Sequence, residues 1–196
     1  MPVKRVCVYC GSSSGALEEY AGAARSLGAA IARRGLGLVY GGGRVGLMGA
    51  VADAAAQNGG EVIGVITHAL VKFEVAHHGL KDLRVVDTMH QRKALMAELS
   101  DAFIAMPGGF GTLEEVAEVI TWTQLGIHEK PVGLLNTAAY YDPLLAFFDR
   151  AVEQKFVRAA LRSSIVTSGD VEELLERVVN AGEPGMVKKW INGNGG

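Results

Sequence analysis

The stretch "MPGGFGTLEE", residues 106–115, gathers groups whose types and spacing could do chemistry. Gly108, Gly109 and Gly111 free the backbone so that successive N–H groups can converge. The helix expected after Thr112 adds the positive end of its dipole. Such a nest can hold a monophosphate without any lysine. The G-K-[ST] ending that manages a triphosphate and magnesium is absent, which argues against an ATPase. Glu114 and Glu115 follow at once, two carboxylates beside a place for an anion. One reading is local: T-L-E-E fits a capping box, with Thr112 as N-cap and Glu115 reaching back from the third helical position. The other is catalytic, because a carboxylate beside a sugar-phosphate nest can face the anomeric carbon. Glycosidic cleavage develops positive charge there, and a carboxylate stabilises it. Spacing alone favours the cap; the adjacent nest shifts the balance toward catalysis.

A second group stands in "TMHQRKALM", residues 88–96. Arg92 and Lys93 fall in the first turns of a helix that begins at a strand end, so they can reach the same crevice. The helix dipole disfavours cations at that end, and the unfavourable placement hints at function. For Lys93 a solvated surface pair is the better reading. His90 could serve as an acid or a base contact, or be a partly buried, hydrogen-bonded histidine. His77 and His78 are adjacent and lack further ligands at metal spacing, so no metal is assigned to them. Trp122, Tyr140 and Tyr141 read as core or interface aromatics.

A second glycine loop is spelled by Gly41, Gly43 and Gly46, a G-x-G-x-x-G between a strand and a helix. A dinucleotide site also wants an acidic residue about 20 positions on, at the carboxyl end of the next strand. Glu61 has the right count but stands at the wrong end of "EVIGVI". A NAD site is disfavoured. Close helix-to-strand packing and a part in mononucleotide binding compete evenly for these glycines.

The elements that must position these loops alternate along the chain. Strands are expected at "RVCVYC", "LGLVY", "EVIGVI", "LRVVD", "DAFIAM", "KPVGLLN" and "SSIVTS". Helices are expected over 17–34, 47–57, "MHQRKALMAELS", from 112 to about 125, "YDPLLAFFDRAVEQ" and "DVEELLERVVNA". Residues 67–82 read as polar and irregular, a flap over the site. Continuous Val/Ile/Leu strands separated by helices mean an α/β fold of Rossmann-like, doubly wound type: a parallel sheet with helices on both faces. Ligands in such folds bind outside the carboxyl ends of the strands. The loops "GSSSG", "GGGRVG", "DTMH" and "PGGFGT" meet that description.

Composition bounds the remaining possibilities. At 196 residues the chain reads as one domain over 1–186, with 187–196 as a flexible tail. Glycine, at 26 residues against an average near 7%, is in excess and sits in loops, where backbone must turn tightly or approach a ligand. A net charge of −2 argues against general nucleic-acid binding. No apolar run approaches the roughly 20 residues of a membrane span, and no signal peptide is visible, so the cytoplasm is the expected compartment. Cys7 and Cys10 form C-x-x-C, but Cys7 lies within a strand and the odd offset sends the side chains to opposite faces. Small buried residues is the reading preferred over a redox pair or a zinc site.

Taken together, "MHQRK" and "PGGFGTLEE", with 23 residues from the arginine of the first to the last glutamate of the second, resemble the Lonely Guy family. These are cytokinin riboside 5′-monophosphate phosphoribohydrolases, often mislabelled lysine decarboxylases. "VYCGSS", "VYGGGRVGLMG" and "TWTQLGIHEKPVGLLN" resemble the same family, so the match spans roughly residues 5–180. The resemblance implies hydrolysis of an N6-modified adenosine monophosphate, or AMP itself, to free base and ribose 5-phosphate. It implies a homodimer, with no cofactor and no metal. By position it makes Arg92 and Glu115 the catalytic pair and gives the phosphate to Gly108, Gly109, Gly111 and Thr112. Lys93, Glu114 and Thr121 become further contacts, and Glu74 a contact to base or ribose. No lysine sits in a recognisable pyridoxal phosphate setting, so the decarboxylase label finds no support in the residues. Two other classes stay open on the residues: a non-catalytic carrier of a phosphorylated cofactor, resembling molybdenum-cofactor carriers, and a NAD-dependent oxidoreductase.

Overall fold

A computed structural model describes residues 2–72 and 76–181. Among these residues seven strands form one sheet in the order β4-β3-β2-β1-β5-β6-β7, every pairing parallel. The strands are β1 (Arg5–Tyr9), β2 (Gly37–Tyr40), β3 (Val62–Thr67), β4 (Asp82–Val86), β5 (Ala102–Ala105), β6 (Val132–Leu135) and β7 (Ile165–Ser168). The helices are α1 (Glu18–Arg33), α2 (Gly46–Gln57), α3 (His68–Lys72), α4 (Met89–Glu98), α5 (Phe110–Leu125), α6 (Asp142–Glu153), α7 (Ala159–Ser164) and α8 (Val171–Asn180). The doubly wound α/β architecture matches the expectation.

The order of strands locates the crevice. The chain winds outward from β1 through β2 and β3 to β4, then returns to lay β5 on the other side of β1. The loops after β1 and β5 therefore leave in opposite directions and open a gap between them. Backbone bonds stitch the rim: Gly11 N–H donates to the Pro107 carbonyl at 3.0 Å, and Leu47 N–H to the Gly11 carbonyl at 3.1 Å.

Central strands β1, β2, β3, β5 and β6 are buried on both faces, which is why they read as unbroken apolar runs. Alternate residues feed two cores. Val6, Val8 and Cys10 pack with α1, α2 and α8, whereas Cys7, Tyr9 and Phe103 pack with α4, α5 and α6. The two cysteines thus lie on opposite sides of the sheet, both buried and unbridged. Burial pushes the Cys7 thiol up to about 12, far from the depressed value of a reactive thiol.

Two short elements depart from expectation. Part of the supposed flap, His68–Lys72, is a helical turn. A further helix, α7, precedes β7 where none was expected. Neither has a stripe of apolar residues to announce it: α3 buries no side chain and α7 buries only Leu161. Glu74 and the tail at 187–196 lie outside the described residues.

Candidate active site

Helix α4 begins with a capping box that satisfies its first N–H groups. Thr88 accepts from Gln91 N–H at 3.1 Å, and the Gln91 side chain accepts from Thr88 N–H at 3.2 Å. This closed first turn directs Arg92 and Lys93 inward, where both are buried. Arg92, 6% exposed, spends three nitrogens in three directions. Nε donates to the Val65 carbonyl at 3.0 Å, Nη2 to the Gly41 carbonyl at 3.3 Å, and Nη1 to Glu115 Oε1 at 2.8 Å. The guanidinium thereby ties the ends of β2 and β3 to α5.

Gly41 makes that seat possible. A Cβ on it would stand 2.0 Å from Arg92 Nη2. Gly46, at a φ of +62°, leaves the Ser12 backbone room that a Cβ would take at 2.3 Å. The glycine loop at 41–46 is thus shaped by an arginine and by a neighbouring loop.

The capping box expected at Thr112 and Glu115 does not form. The N-cap of α5 is Gly109, without any side-chain cap, and Thr112 is the third residue inside the helix. Thr112 is buried under the loop, its Oγ1 only 2.2 Å from where a Gly108 Cβ would be. Both glutamates consequently sit in the second turn, and partners on α4 claim them. Glu115 pairs with Arg92 across 2.8 Å, and Glu114 with Lys93. Lys93 Nζ also donates to Glu118 at 3.1 Å.

This resolves the apparent conflict of carboxylates beside an anion site. The first turn of α5 holds no acidic residue, and its N–H groups at Phe110, Gly111 and Thr112 have no partner within the helix. Cβ atoms on Gly109 and Gly111 would meet nothing within 4 Å, so the approach to those amides is open. An anion can dock on the helix end while the carboxylates face sideways. A cleft of about 350 Å³ runs alongside, walled by Gly108, Gly109, Phe110, Leu113, Tyr140 and Leu144 among others. That is within the range of small-molecule sites, about 300–1,000 Å³.

Electrostatics distinguishes the two ion pairs. Burial pushes the Glu115 carboxyl up from the ordinary range, and Arg92 offsets this only in part. Glu115 is 9% exposed. For Lys93, burial works against the charge, but the bonds to Glu114 and Glu118 outweigh it and raise its pKa. In the Arg92–Glu115 pair burial works against the charge of the carboxylate, whereas Lys93–Glu114–Glu118 is a brace between α4 and α5.

The remaining candidates are scattered. Thr121 lies on the exposed side of α5, its hydroxyl donating to the Ala117 carbonyl of its own helix at 2.7 Å. His90 is exposed on α4. The His77 ring meets Asp53 at 2.9 Å, and its backbone N–H donates to the Gly42 carbonyl, laying residues 76–77 across the glycine loop at 41–46. Sequence reasoning missed Glu118, three residues past Glu115, and Tyr140 and Tyr141, whose hydroxyls reach the loop at 106–108. For Glu118 the signal was available: three glutamates within five residues, opposite a cation.

Comparison with known proteins finds named relatives for the chain. A family profile described as "Possible lysine decarboxylase" matches residues 48–178. The chain is 51% identical over 175 residues to cytokinin riboside 5′-monophosphate phosphoribohydrolase LOG1 of Arabidopsis thaliana, covering 89% of this chain and 82% of that protein. It is 50% identical over 187 residues to the LOG enzyme of Oryza sativa subsp. japonica, covering 94% and 77%. Among solved structures, a molybdenum cofactor binding protein from Rippkaea orientalis superposes with a TM-score of 0.68 at 24% identity, covering 90% of this chain and 95% of that one. The molybdenum cofactor carrier protein of Chlamydomonas reinhardtii gives 0.67 at 22%, covering 89% and 95%. At such identities these two likenesses speak for the fold alone.

Proposed function

Because the chain belongs to the Lonely Guy family of cytokinin riboside 5′-monophosphate phosphoribohydrolases, we propose that it cleaves N6-modified adenosine 5′-monophosphates, or AMP, at the pair Arg92–Glu115. The observation that carries the assignment of the pair is a buried arginine–carboxylate contact of 2.8 Å one turn beyond an open helix N-terminus. The 5′-phosphate docks on the N–H groups of Gly109, Phe110, Gly111 and Thr112. Glu115 then stabilises positive charge at the anomeric carbon and guides water to it. The bond from that carbon to the base nitrogen breaks, its electron pair leaves with the base, and the base takes up a proton. Water supplies the hydroxyl of ribose 5-phosphate. Arg92, fixed by two carbonyls, orients the carboxylate. Lys93 and Glu114 act by holding α4 against α5.

A cofactor carrier has no need of a buried Arg92–Glu115 pair beside its phosphate nest, which favours the hydrolase. Among the described residues no helix is long and apolar enough to cross a membrane. The reading includes a homodimer working in the cytoplasm. What supports the dimer is apolar surface: Phe110 is 91% exposed, Phe147 66%, Ile127 64%, and α6 buries no residue fully. Sedimentation at micromolar concentration is expected to give twice the chain mass; a monomer would overturn that part.

The decisive experiment is chromatography after incubation with AMP and, separately, isopentenyladenosine monophosphate. Free base together with ribose 5-phosphate is expected, and the ratio of rates sets the substrate class. Intact nucleotide in both incubations would defeat the proposal.

A further inference from the structure

The segment between β6 and α6 is built in an unusual way. Ala138 and Ala139 both adopt left-handed backbone, with φ of 52° and 59°. A side-chain-bearing residue rarely accepts this, and two in succession hold only where surrounding contacts over-determine them. Those contacts are present. Asn136 Oδ1 accepts from Tyr141 N–H at 2.6 Å, and Asn136 Nδ2 donates to Asp142 Oδ1 at 2.7 Å. Asn136 N–H itself donates to the Ser168 carbonyl of β7 at 2.8 Å, fastening the turn to the sheet.

The product of this turn is a pair of tyrosines aimed at one target. Tyr140 Oη donates to the Gly108 carbonyl at 2.5 Å, and Tyr141 Oη donates to the Met106 carbonyl at 2.5 Å. The rings meet edge to face with centroids 5.2 Å apart. Tyr20 of α1 packs edge-on to Tyr140 at 5.8 Å. Gly15, at a φ of +74°, leaves room for Tyr20, since a Cβ there would stand 2.7 Å from that ring. Tyr141 is buried, whereas Tyr140 is 41% exposed and could satisfy its hydroxyl with water. Its bond to Gly108 is therefore not forced by burial.

We propose that Tyr140 and Tyr141 are positioning residues for the phosphate nest, a role that rests on the hydrolase reading above only for the identity of the ligand. A peptide unit is planar, so fixing a carbonyl fixes the N–H of the following residue on the opposite side. Holding the Gly108 carbonyl turns the Gly109 N–H the other way; holding the Met106 carbonyl sets the direction in which the loop enters it. Three glycines in four residues make this loop intrinsically loose, and the hydroxyls remove that looseness before the ligand arrives. The geometry also explains why a loop of this composition needs no lysine: its donors are preset.

The test uses Tyr140→Phe, with Tyr141→Phe as a second variant, in the full chain. Amide hydrogen exchange of residues 108–112 is read without ligand, the dissociation constant of ribose 5-phosphate by calorimetry, and KM and kcat on the nucleotide. Loss of one neutral hydrogen bond is expected to speed exchange and weaken ribose 5-phosphate about five- to tenfold. KM should rise by a similar factor, kcat should stay within about threefold, and the melting temperature should barely move for Tyr140→Phe. Unchanged exchange and unchanged affinity in both variants would overturn the proposal, as would a fall in kcat at constant KM. If the native protein released no base yet Tyr140→Phe still loosened the loop and weakened ribose 5-phosphate, the hydrolase reading would fail and the positioning role would stand.

Discussion

Replacing Glu115 by glutamine is expected to lower kcat by about 10²–10³-fold while leaving the affinity for AMP within about threefold. Glutamine keeps the shape and one oxygen for Arg92 Nη1, so the 2.8 Å contact survives and the fold with it. What disappears is the negative charge proposed above to face the anomeric carbon. A variant turning over at the native rate would leave Glu115 as a mere anchor for Arg92. The pH dependence provides a second, independent reading. Burial raises the Glu115 pKa in the folded chain above its ordinary value. The folded state therefore holds more protons than the unfolded one between those two values. Stability from this group is fully present below the ordinary value and is lost as pH rises through the raised one. Activity moves oppositely, since the chemistry needs the carboxylate: kcat climbs with pH through the raised value. The part of each slope that comes from this group should vanish in Glu115→Gln, which parallel melting and rate profiles of both proteins from about pH 4 to 8 would reveal.

Arg92→Met is expected to cost about 3–5 kcal/mol of stability, because Glu115 remains buried without its cation. The Val65 and Gly41 carbonyls lose their donor as well. For a chain of this size the melting temperature should fall by on the order of 10 °C. Stranded in an apolar setting, the carboxyl takes up a proton near neutrality, so activity is lost with it. Should this variant fail to fold, Gly41→Ala asks the same question with the charge retained. Its methyl group would enter the space of Arg92 Nη2, displacing the guanidinium from Glu115. A fall in kcat of about tenfold or more is expected, with a smaller loss of stability. Native turnover in Gly41→Ala would show that the position of Arg92 does not matter.

How much of this could be read from the chain alone depended on the range of the forces involved. Strands β1, β2, β3, β5 and β6 declare themselves because both faces are covered and every position but Arg5 and Thr67 at their ends is apolar or glycine. Helix α1 was legible for the same kind of reason, a regular apolar stripe closed by Gly35 in left-handed backbone. The failures share a cause. T-L-E-E satisfies the local rule for a cap, yet Glu115 and Glu114 bond to residues 23 and 21 positions earlier. The cap would be worth only about 1 kcal/mol, and no window of a dozen residues contains both partners of the contacts that replace it. The neighbouring T-M-H-Q had no distant competitor, and there the box forms. Tyr140 and Tyr141 were legible as aromatics but not as donors, since their acceptors lie 32 and 35 residues away. The fold thus followed from periodicity, and the site from contacts that periodicity does not describe.

The two cysteines offer a practical use that has nothing to do with catalysis. Both thiols are enclosed in the core, on opposite sides of a continuous sheet, and burial holds both in the protonated, unreactive form. An alkylating reagent can reach them only when the sheet opens. Each native molecule therefore carries a built-in reporter with no engineered probe, and brief pulses of maleimide, followed by mass spectrometry, would count unfolded molecules directly. Two labels acquired together would mark global opening, whereas one alone would reveal a half-sheet that breathes by itself.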